Sequence, residues 1–388
     1  MRLVLDGRIA IPRMTGAGRY VIELARRLPS LTDDLVVEVL FRSVMRTTPI
    51  PEMLGDAGVK VHYVNVRVAS VTQWLAIPLV LRRLRPDVYH YPFLDLPYVS
   101  LPSVVTIYDL NPILHSAYFD RFGSVKRAVA RRLIRSTLRR SRAVLAISDA
   151  TRVLVQEHYP ESAHKVRTIH LGVDAAAWDQ GVTDGYKDAR STADNQALWR
   201  SRWYALYVGV DRPHKNLTRL VRAFAHFRAS NGWREGSGPY LWLAGVGVGS
   251  PALQAKISEL ALVSDVRLSR ELDEANLRTA YTGARVVVYV STSEGFGLPV
   301  LEALAAGIPV LAADASSLPE VGGDAVLYTD PHDETAISQG LARLWNDMEL
   351  RRELAERGRR RATEFSWQAT ARATAEAYYD ALRCGSPR

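Results

Sequence analysis

The chain has 388 residues, 47% of them hydrophobic and 23% charged, the balance of an ordinary globular protein with room for two domains. No apolar run approaches the ~18 residues of a membrane span, and the short apolar start ends at Asp6-Gly7, as a first strand does and a secretory leader does not. A lone cysteine, Cys384, excludes an internal disulfide and points to the cytoplasm.

The formal charge of +9 sits entirely in the first half, where residues 1–175 hold 25 Lys+Arg against 15 Asp+Glu. Strands are expected there at 3–5, 36–41, 59–64, 88–91, 103–107, 143–147 and 166–169, with helical patterns at 18–28, 71–84 and 125–140. This alternation predicts an α/β doubly wound domain. Thr15-Gly-Ala-Gly-Arg19 forms a glycine-rich loop between the first strand and its helix, and Tyr108-Asp109 ends the fifth strand. Ser148 is placed to cap the helix that follows it. Arg121 to Arg142 carries nine basic residues and no acid, and Phe122, Val125, Val129, Leu133 and Leu138 recur at helical spacing. Such a basic amphipathic helix can rest on an anionic membrane surface at about 1 kcal/mol per basic residue.

Residues 175–197 are polar and aperiodic, which predicts a connection between two domains over 179–197. A second alternating set follows from Tyr204 to Thr363, so the expected domains are 1–178 and 198–366. The turn from Tyr207 to Asn216 carries Arg212 and Lys215, where a guanidinium and an ammonium can grip a diphosphate. A last helix begins after Ser366 and runs toward Leu382, with Trp367, Tyr378, Tyr379 and Leu382 as its apolar side.

The most informative stretch runs from Val286 to Asp314. A β-branched run is cut by a turn holding Glu294, Gly295, Phe296 and Gly297; a helix opens at Pro299 and carries Glu302, and a second apolar run follows. Glycines let backbone N–H groups approach a ligand, and a helix start favours a phosphate. The two carboxylates suit hydroxyls, which donate to ionised oxygens. A ligand with both phosphate and several hydroxyls is a nucleotide sugar.

Glu294-Gly-Phe-Gly-Leu-Pro-Val-Leu-Glu302 with Ala306-Gly-Ile-Pro-Val310 resembles the E-x7-E region of retaining glycosyltransferases of family 4. The resemblance covers nearly the whole chain. It implies the α/β GT-B fold: two Rossmann-like doubly wound domains facing a cleft, with the C-terminal helix (367–388) crossing back to the first domain. It further implies a mannosyltransferase-like, retaining, metal-independent enzyme with no cofactor. Such an enzyme moves a hexose from a GDP- or UDP-sugar to a glycan or a polyprenyl- or lipid-linked acceptor in polysaccharide, lipopolysaccharide or glycolipid synthesis, at the inner face of the cell membrane. No Asp-x-Asp stands at a strand end of the second half, in keeping with an expected absence of metal. Carried over residue by residue, the family pattern makes Glu294 the residue that positions the donor sugar and Glu302 the one that holds the ribose. Lys215, Arg212 and the helix start at Gly297-Leu298 take the departing diphosphate, with Gly295 and Phe296 in the same loop. Gly16 and Gly18 approach the diphosphate and acceptor from the first domain, and Leu268 and Arg270 flank the base. The chain departs from the family in two places: Val210 stands where many members carry the Arg, and Tyr108, next to Asp109, stands where the family has a His that meets the donor sugar.

Three rival readings fit parts of the sequence. Gly245-Val-Gly247 follows a strand with Asp265 about 20 residues on, as in a dinucleotide-binding oxidoreductase, although Ser250 replaces the third glycine. The pI near 9.6 allows a nucleic-acid binder, but neither zinc spacing nor an RNP-type aromatic motif is present, so no nucleic acid is expected. A sugar-nucleotide epimerase would share the two-domain fold.

Overall fold

A computed structural model describes residues 1–12, 15–111, 123–179 and 202–383. They form two compact units, Met1–Gly172 with Trp367–Arg388, and Val173–Ser366. In the first unit β1 (Arg2–Asp6), β2 (Val36–Phe41), β3 (Lys60–Tyr63), β4 (Val88–Tyr91), β5 (Ser103–Ile107), β6 (Ala143–Ala146) and β7 (Val166–Thr168) form a parallel sheet. Its order is β3-β2-β1-β4-β5-β6-β7. The connections carry α1 (Gly16–Arg27), α2 (Ile50–Asp56), α3 (Gln73–Leu84), α4 (Gly123–Arg140) and α5 (Asp149–His158). Every residue of β4, β5 and β6 is buried, as helices on both faces of a parallel sheet require. Thr15 caps α1 and Ser148 caps α5, each accepting a backbone N–H three residues on.

The second unit holds α6 (Ala175–Asp179) and a parallel sheet of order β10-β9-β8-β11-β12-β13. Its strands are β8 (Tyr204–Val208), β9 (Tyr240–Ala244), β10 (Val266–Ser269), β11 (Val286–Tyr289), β12 (Val310–Ala313) and β13 (Leu327–Thr329). The helices are α7 (Leu217–Ser230), α8 (Pro251–Glu259), α9 (Glu274–Thr282), α10 (Leu298–Ala305), α11 (Leu318–Gly322), α12 (Glu334–Asn346) and α13 (Met348–Ala362). Each sheet reverses its winding once, at β1/β4 and at β8/β11. The carboxyl ends of strands at such a switch point leave a crevice where α/β folds bind ligands.

The terminal helix α14 (Trp367–Arg383) belongs to the first unit. Tyr378 is fully buried against it, with its hydroxyl 2.6 Å from His90 Nδ1, while His90 Nε2 lies 2.8 Å from Thr106 Oγ1 and Tyr20 meets the same hydroxyl at 2.9 Å. Thr370 Oγ1 donates to the His170 carbonyl at 2.8 Å. Of the expected apolar side, Trp367 and Tyr378 are buried, but Tyr379 donates to Asp34 at the surface and Leu382 is exposed.

The first unit gives up the chain at Gly172, ahead of the expected 178. Val173 N–H donates to the Phe365 carbonyl at 2.9 Å, and Trp178 of α6 packs edge-on against Tyr281, so this segment folds with the second unit. The expected 179–197 connection lies beyond Asp179 outside the described residues, as do Arg121, Phe122 and Cys384. In α4 the buried positions are Ile134, Thr137 and Leu138, whereas Val125 and Val129 face solvent. The face that meets the core is therefore turned from the one that the 125–129–133 spacing predicts. Among the described residues no helix is long and apolar enough to cross a membrane.

Candidate active site

The β8/β11 switch point assembles the residues that carry charge. After β8 the chain turns through Gly209 into a short 3-10 turn, Pro213–Lys215, and Asn216 enters the left-handed region at φ 61. Asparagine is among the few residues that tolerate that conformation. Its side-chain amide donates to the carbonyls of Val290 at 3.0 Å and Pro331 at 2.7 Å, which fixes the Lys215 turn to the end of β11. The Thr292 N–H closes the same junction by donating to the His214 carbonyl at 2.8 Å.

Lys215 Nζ then stands 2.7 and 2.8 Å from the two carboxylate oxygens of Glu294, and 3.2 Å from the Tyr289 hydroxyl. Both members of the pair are largely shielded from solvent. The Glu294 backbone is held from below: its N–H donates to Ser316 Oγ at 2.8 Å, and Ser317 Oγ reaches the carbonyls of Glu294 and Phe296 at 3.0 and 2.9 Å. Tyr289 stacks on Tyr207, centroids 5.4 Å apart and rings 14° from parallel. Burial, together with the neighbouring carboxylate, pushes the Tyr289 phenol well above its usual range, so it stays a neutral hydroxyl beside the ammonium.

Gly297 opens α10 at φ 107, and a Cβ there would lie 2.8 Å from Leu318 Cδ2; only glycine makes this entry without strain. Leu298 and Pro299 begin the helix. Glu302 sits one turn in, buried, with the Tyr281 hydroxyl 3.0 Å from Oε2. The Phe296 ring packs edge-on against Phe365 at 5.9 Å, so this side chain is committed to the interior while Gly295 is half-buried in the loop. Arg212 is exposed and its side chain makes no ion pair or hydrogen bond among the described residues, while its carbonyl accepts the Lys215 N–H at 2.9 Å. At the end of β10 the carbonyls of Ser269 and Arg270 accept the Gly245 N–H at 3.1 and 3.3 Å. Leu268 is half-buried there beside Gly249, and the Arg270 side chain is exposed.

The structure thus brings Lys215, Glu294, Glu302 and the α10 start into one unit, with Arg212 on the same turn as Lys215. Gly16, Gly18, Tyr108 and Asp109 belong to the first unit. Gly16 begins α1, and the Gly18 N–H donates to Thr15 Oγ1 at 3.1 Å. Tyr108 lies edge-on to Tyr20 at 5.8 Å, its hydroxyl buried with no hydrogen-bond partner among the described residues. Asp109 accepts the Asn111 N–H at 2.9 Å. Sequence reasoning missed Tyr289 and Tyr281, which hold Lys215 and Glu302. The only signal was a tyrosine closing the β-branched run directly ahead of the Glu294 loop.

The dinucleotide rival fails on Asp265. That residue is fully buried and paired with Arg202 and with Arg228 at 3.0 Å, so it cannot serve a ribose.

Residues 14–177 match the family model "Glycosyltransferase Family 4" and residues 190–361 the model "Glycosyl transferases group 1". O-antigen chain mannosyltransferase B of Escherichia coli is 27% identical over 94% of this chain and 96% of its own length. O-antigen chain mannosyltransferase RfbU of Salmonella typhimurium is 26% identical over 60% of this chain and 58% of its own. Among solved structures, sucrose-phosphate synthase from Thermosynechococcus elongatus superposes with TM-score 0.75 at 17% identity, covering 99% of this chain and 100% of that one. WaaG, a glycosyltransferase involved in lipopolysaccharide biosynthesis, gives 0.71 at 16% over both whole chains. Anabaena Alr3699/HepE in complex with UDP and glucose gives 0.71 at 17%, covering 98% and 99%. With two family models following one another along its length and mannosyltransferases among its relatives, the chain belongs to the family 4 glycosyltransferases of GT-B fold and is mannosyltransferase-like.

Proposed function

We propose that this glycosyltransferase transfers a mannose-type hexose, with retention of anomeric configuration, from a nucleoside-diphosphate sugar to a glycan or lipid-linked acceptor in O-antigen or lipopolysaccharide assembly. The observation that carries the reading is the Lys215–Glu294 pair set against the start of α10. Breaking the glycosyl–phosphate bond leaves positive character on the anomeric carbon and negative charge on the diphosphate. Lys215, Arg212 and the N–H groups at Gly297 and Leu298 meet that negative charge without a metal or cofactor. Glu294 then exchanges its ammonium partner for a donor-sugar hydroxyl, while Glu302, steadied by Tyr281, takes the ribose hydroxyls. The acceptor oxygen bonds to the anomeric carbon on the face from which the diphosphate leaves, and its proton passes to a departing phosphate oxygen. Gly295 and Phe296 shape the loop, and Leu268 and Arg270 border the base. Gly16, Gly18, Tyr108 and Asp109 are assigned to substrate recognition on the first unit. GDP-mannose is the preferred donor, by analogy with the mannosyltransferase relatives. The basic α4 helix rests on the anionic inner face of the cell membrane, about 1 kcal/mol per basic residue.

A thermal-shift panel of UDP, GDP, ADP and dTDP tests the donor, with GDP expected to stabilise most. Lys215→Ala or Glu294→Gln is expected to cut transfer by about two orders of magnitude, a loss of roughly 2.7 kcal/mol of transition-state stabilisation, with melting nearly unchanged. Full activity in either purified variant removes that residue from the mechanism.

A further inference from the structure

The helix α3 is apolar on two sides. Gln73, Ile77 and Leu81, one helical turn apart, are buried, and Ile77 and Leu81 join the core cluster that also holds Ile134 and Leu138 of α4. On the opposite side Leu75 and Leu79 are 77% and 57% exposed, and Val71 just ahead of the helix is 87% exposed. Trp74 and Tyr98 flank this stripe with ring centroids 5.4 Å apart, and Arg140 at the end of α4 lies 4.1 Å from the Tyr98 ring. A groove of about 510 Å³ opens beside them, with Pro78, Leu81, Arg82, Arg85 and Tyr98 among its walls.

The charges around the stripe are of one sign. No charged residue falls between Arg67 and Arg82, no acid falls between Asp56 and Asp87, and Arg82, Arg83 and Arg85 follow the apolar run directly. All four arginines are exposed, and none forms an ion pair among the described residues. Two copies of this face would set their arginine rims against each other, a like-charge cost that weighs against self-association. Leucines in the middle, Trp and Tyr at the flank and unpaired arginines at the rim match a helix lying in the plane of a membrane interface.

We propose that the Val71–Leu75–Leu79 face of α3, with Arg67, Arg82, Arg83 and Arg85 around it, seats in the headgroup layer of an anionic bilayer and is the apolar anchor of the first unit. This rests on the reading that the enzyme works at a membrane surface, and it assigns the apolar part of that contact to α3, leaving α4 an electrostatic role.

Co-sedimentation of the full chain with phosphatidylcholine vesicles, with and without phosphatidylglycerol, tests it. Wild type is expected to pellet with the anionic vesicles, and Leu75→Asp/Leu79→Asp to lower the bound fraction about tenfold at every salt concentration. Reversing Arg131, Arg135 and Arg139 to Glu is expected to weaken binding chiefly at low salt. Nucleoside-diphosphate binding serves as the folding control for both, and Leu75→Ser/Leu79→Ser replaces the aspartate variant if that one misfolds. If the leucine variants bind as wild type while the arginine variant is lost, the α3 anchor is wrong and membrane contact through α4 stands. Wild type that ignores anionic vesicles overturns both. A dimer that the leucine variants dissolve, seen by light scattering, assigns the face to a second copy and overturns the anchor.

Discussion

Among the described groups that hold Lys215 and its turn are Glu294, Tyr289 and the Asn216 amide, and of these Glu294 belongs to the recognisable sequence pattern. Glu294 is read from the motif; the Tyr289 hydroxyl at 3.2 Å and the Asn216 amide that ties the turn to β11 are not. In the proposed mechanism, Tyr289 goes on holding the ammonium once Glu294 turns to the donor sugar. Tyr289→Phe removes one hydrogen bond to a charged group, so transfer is expected to fall about tenfold. In a Lys215→Ala background the same change should cost nothing further, because Tyr289 acts through the lysine. Additive losses in that double-mutant cycle would show a packing role for the Tyr207–Tyr289 stack instead. Charge beside a glycine turn made Lys215, Glu294 and Glu302 stand out along the chain, and the structure places all three in the second unit. Tyr289 was illegible because a strand tyrosine reads as core until the facing turn is known to place an ammonium over its hydroxyl.

At the level of elements, α10 depends on Gly297. A side chain there at φ 107 meets Leu318, so Gly297→Ala is expected to cost about 1–2 kcal/mol in urea unfolding of the second unit. The same change tilts the α10 start, so nucleoside-diphosphate affinity should fall with stability; unchanged affinity would separate the helix start from the phosphate site. The glycine pair and the following proline announced this turn in the sequence, because both residues have sharp backbone requirements. Helix α4 shows the opposite case. Its apolar residues are spread around the axis, and the sheet beneath selected Ile134 and Leu138 over Val125 and Val129. The helix α3, apolar on two sides, was equally mute about which of them it buries.

Across the molecule, the first unit is completed by the last helix, which returns to bury Tyr378 beside His90 although 288 positions separate them. Enclosure without a counter-charge pushes His90 from its ordinary 6.5 down to about 3. The unfolded chain therefore takes up a proton that the folded one refuses. The stability linked to His90 is full above pH 6.5 and drains away as pH falls toward 3, by at most about 5 kcal/mol. His90→Gln, which can keep both hydrogen bonds, should flatten the acid limb of stability against pH in that window. An unchanged slope would place the acid sensitivity elsewhere.

The sequence by itself determined the alternating strands and helices, the glycine turns and the charged residues of the second unit's switch point. Each of these follows from short-range preferences: side-chain period, backbone freedom and charge spacing within about ten residues. Tertiary structure alone decided which hydroxyls support those charges, that Asp265 is an internal counter-ion, that segment 173–178 folds with the second unit, and that α3 keeps leucines at the surface. These outcomes depend on which distant segment arrives opposite a given side chain, and local preference holds no record of that partner.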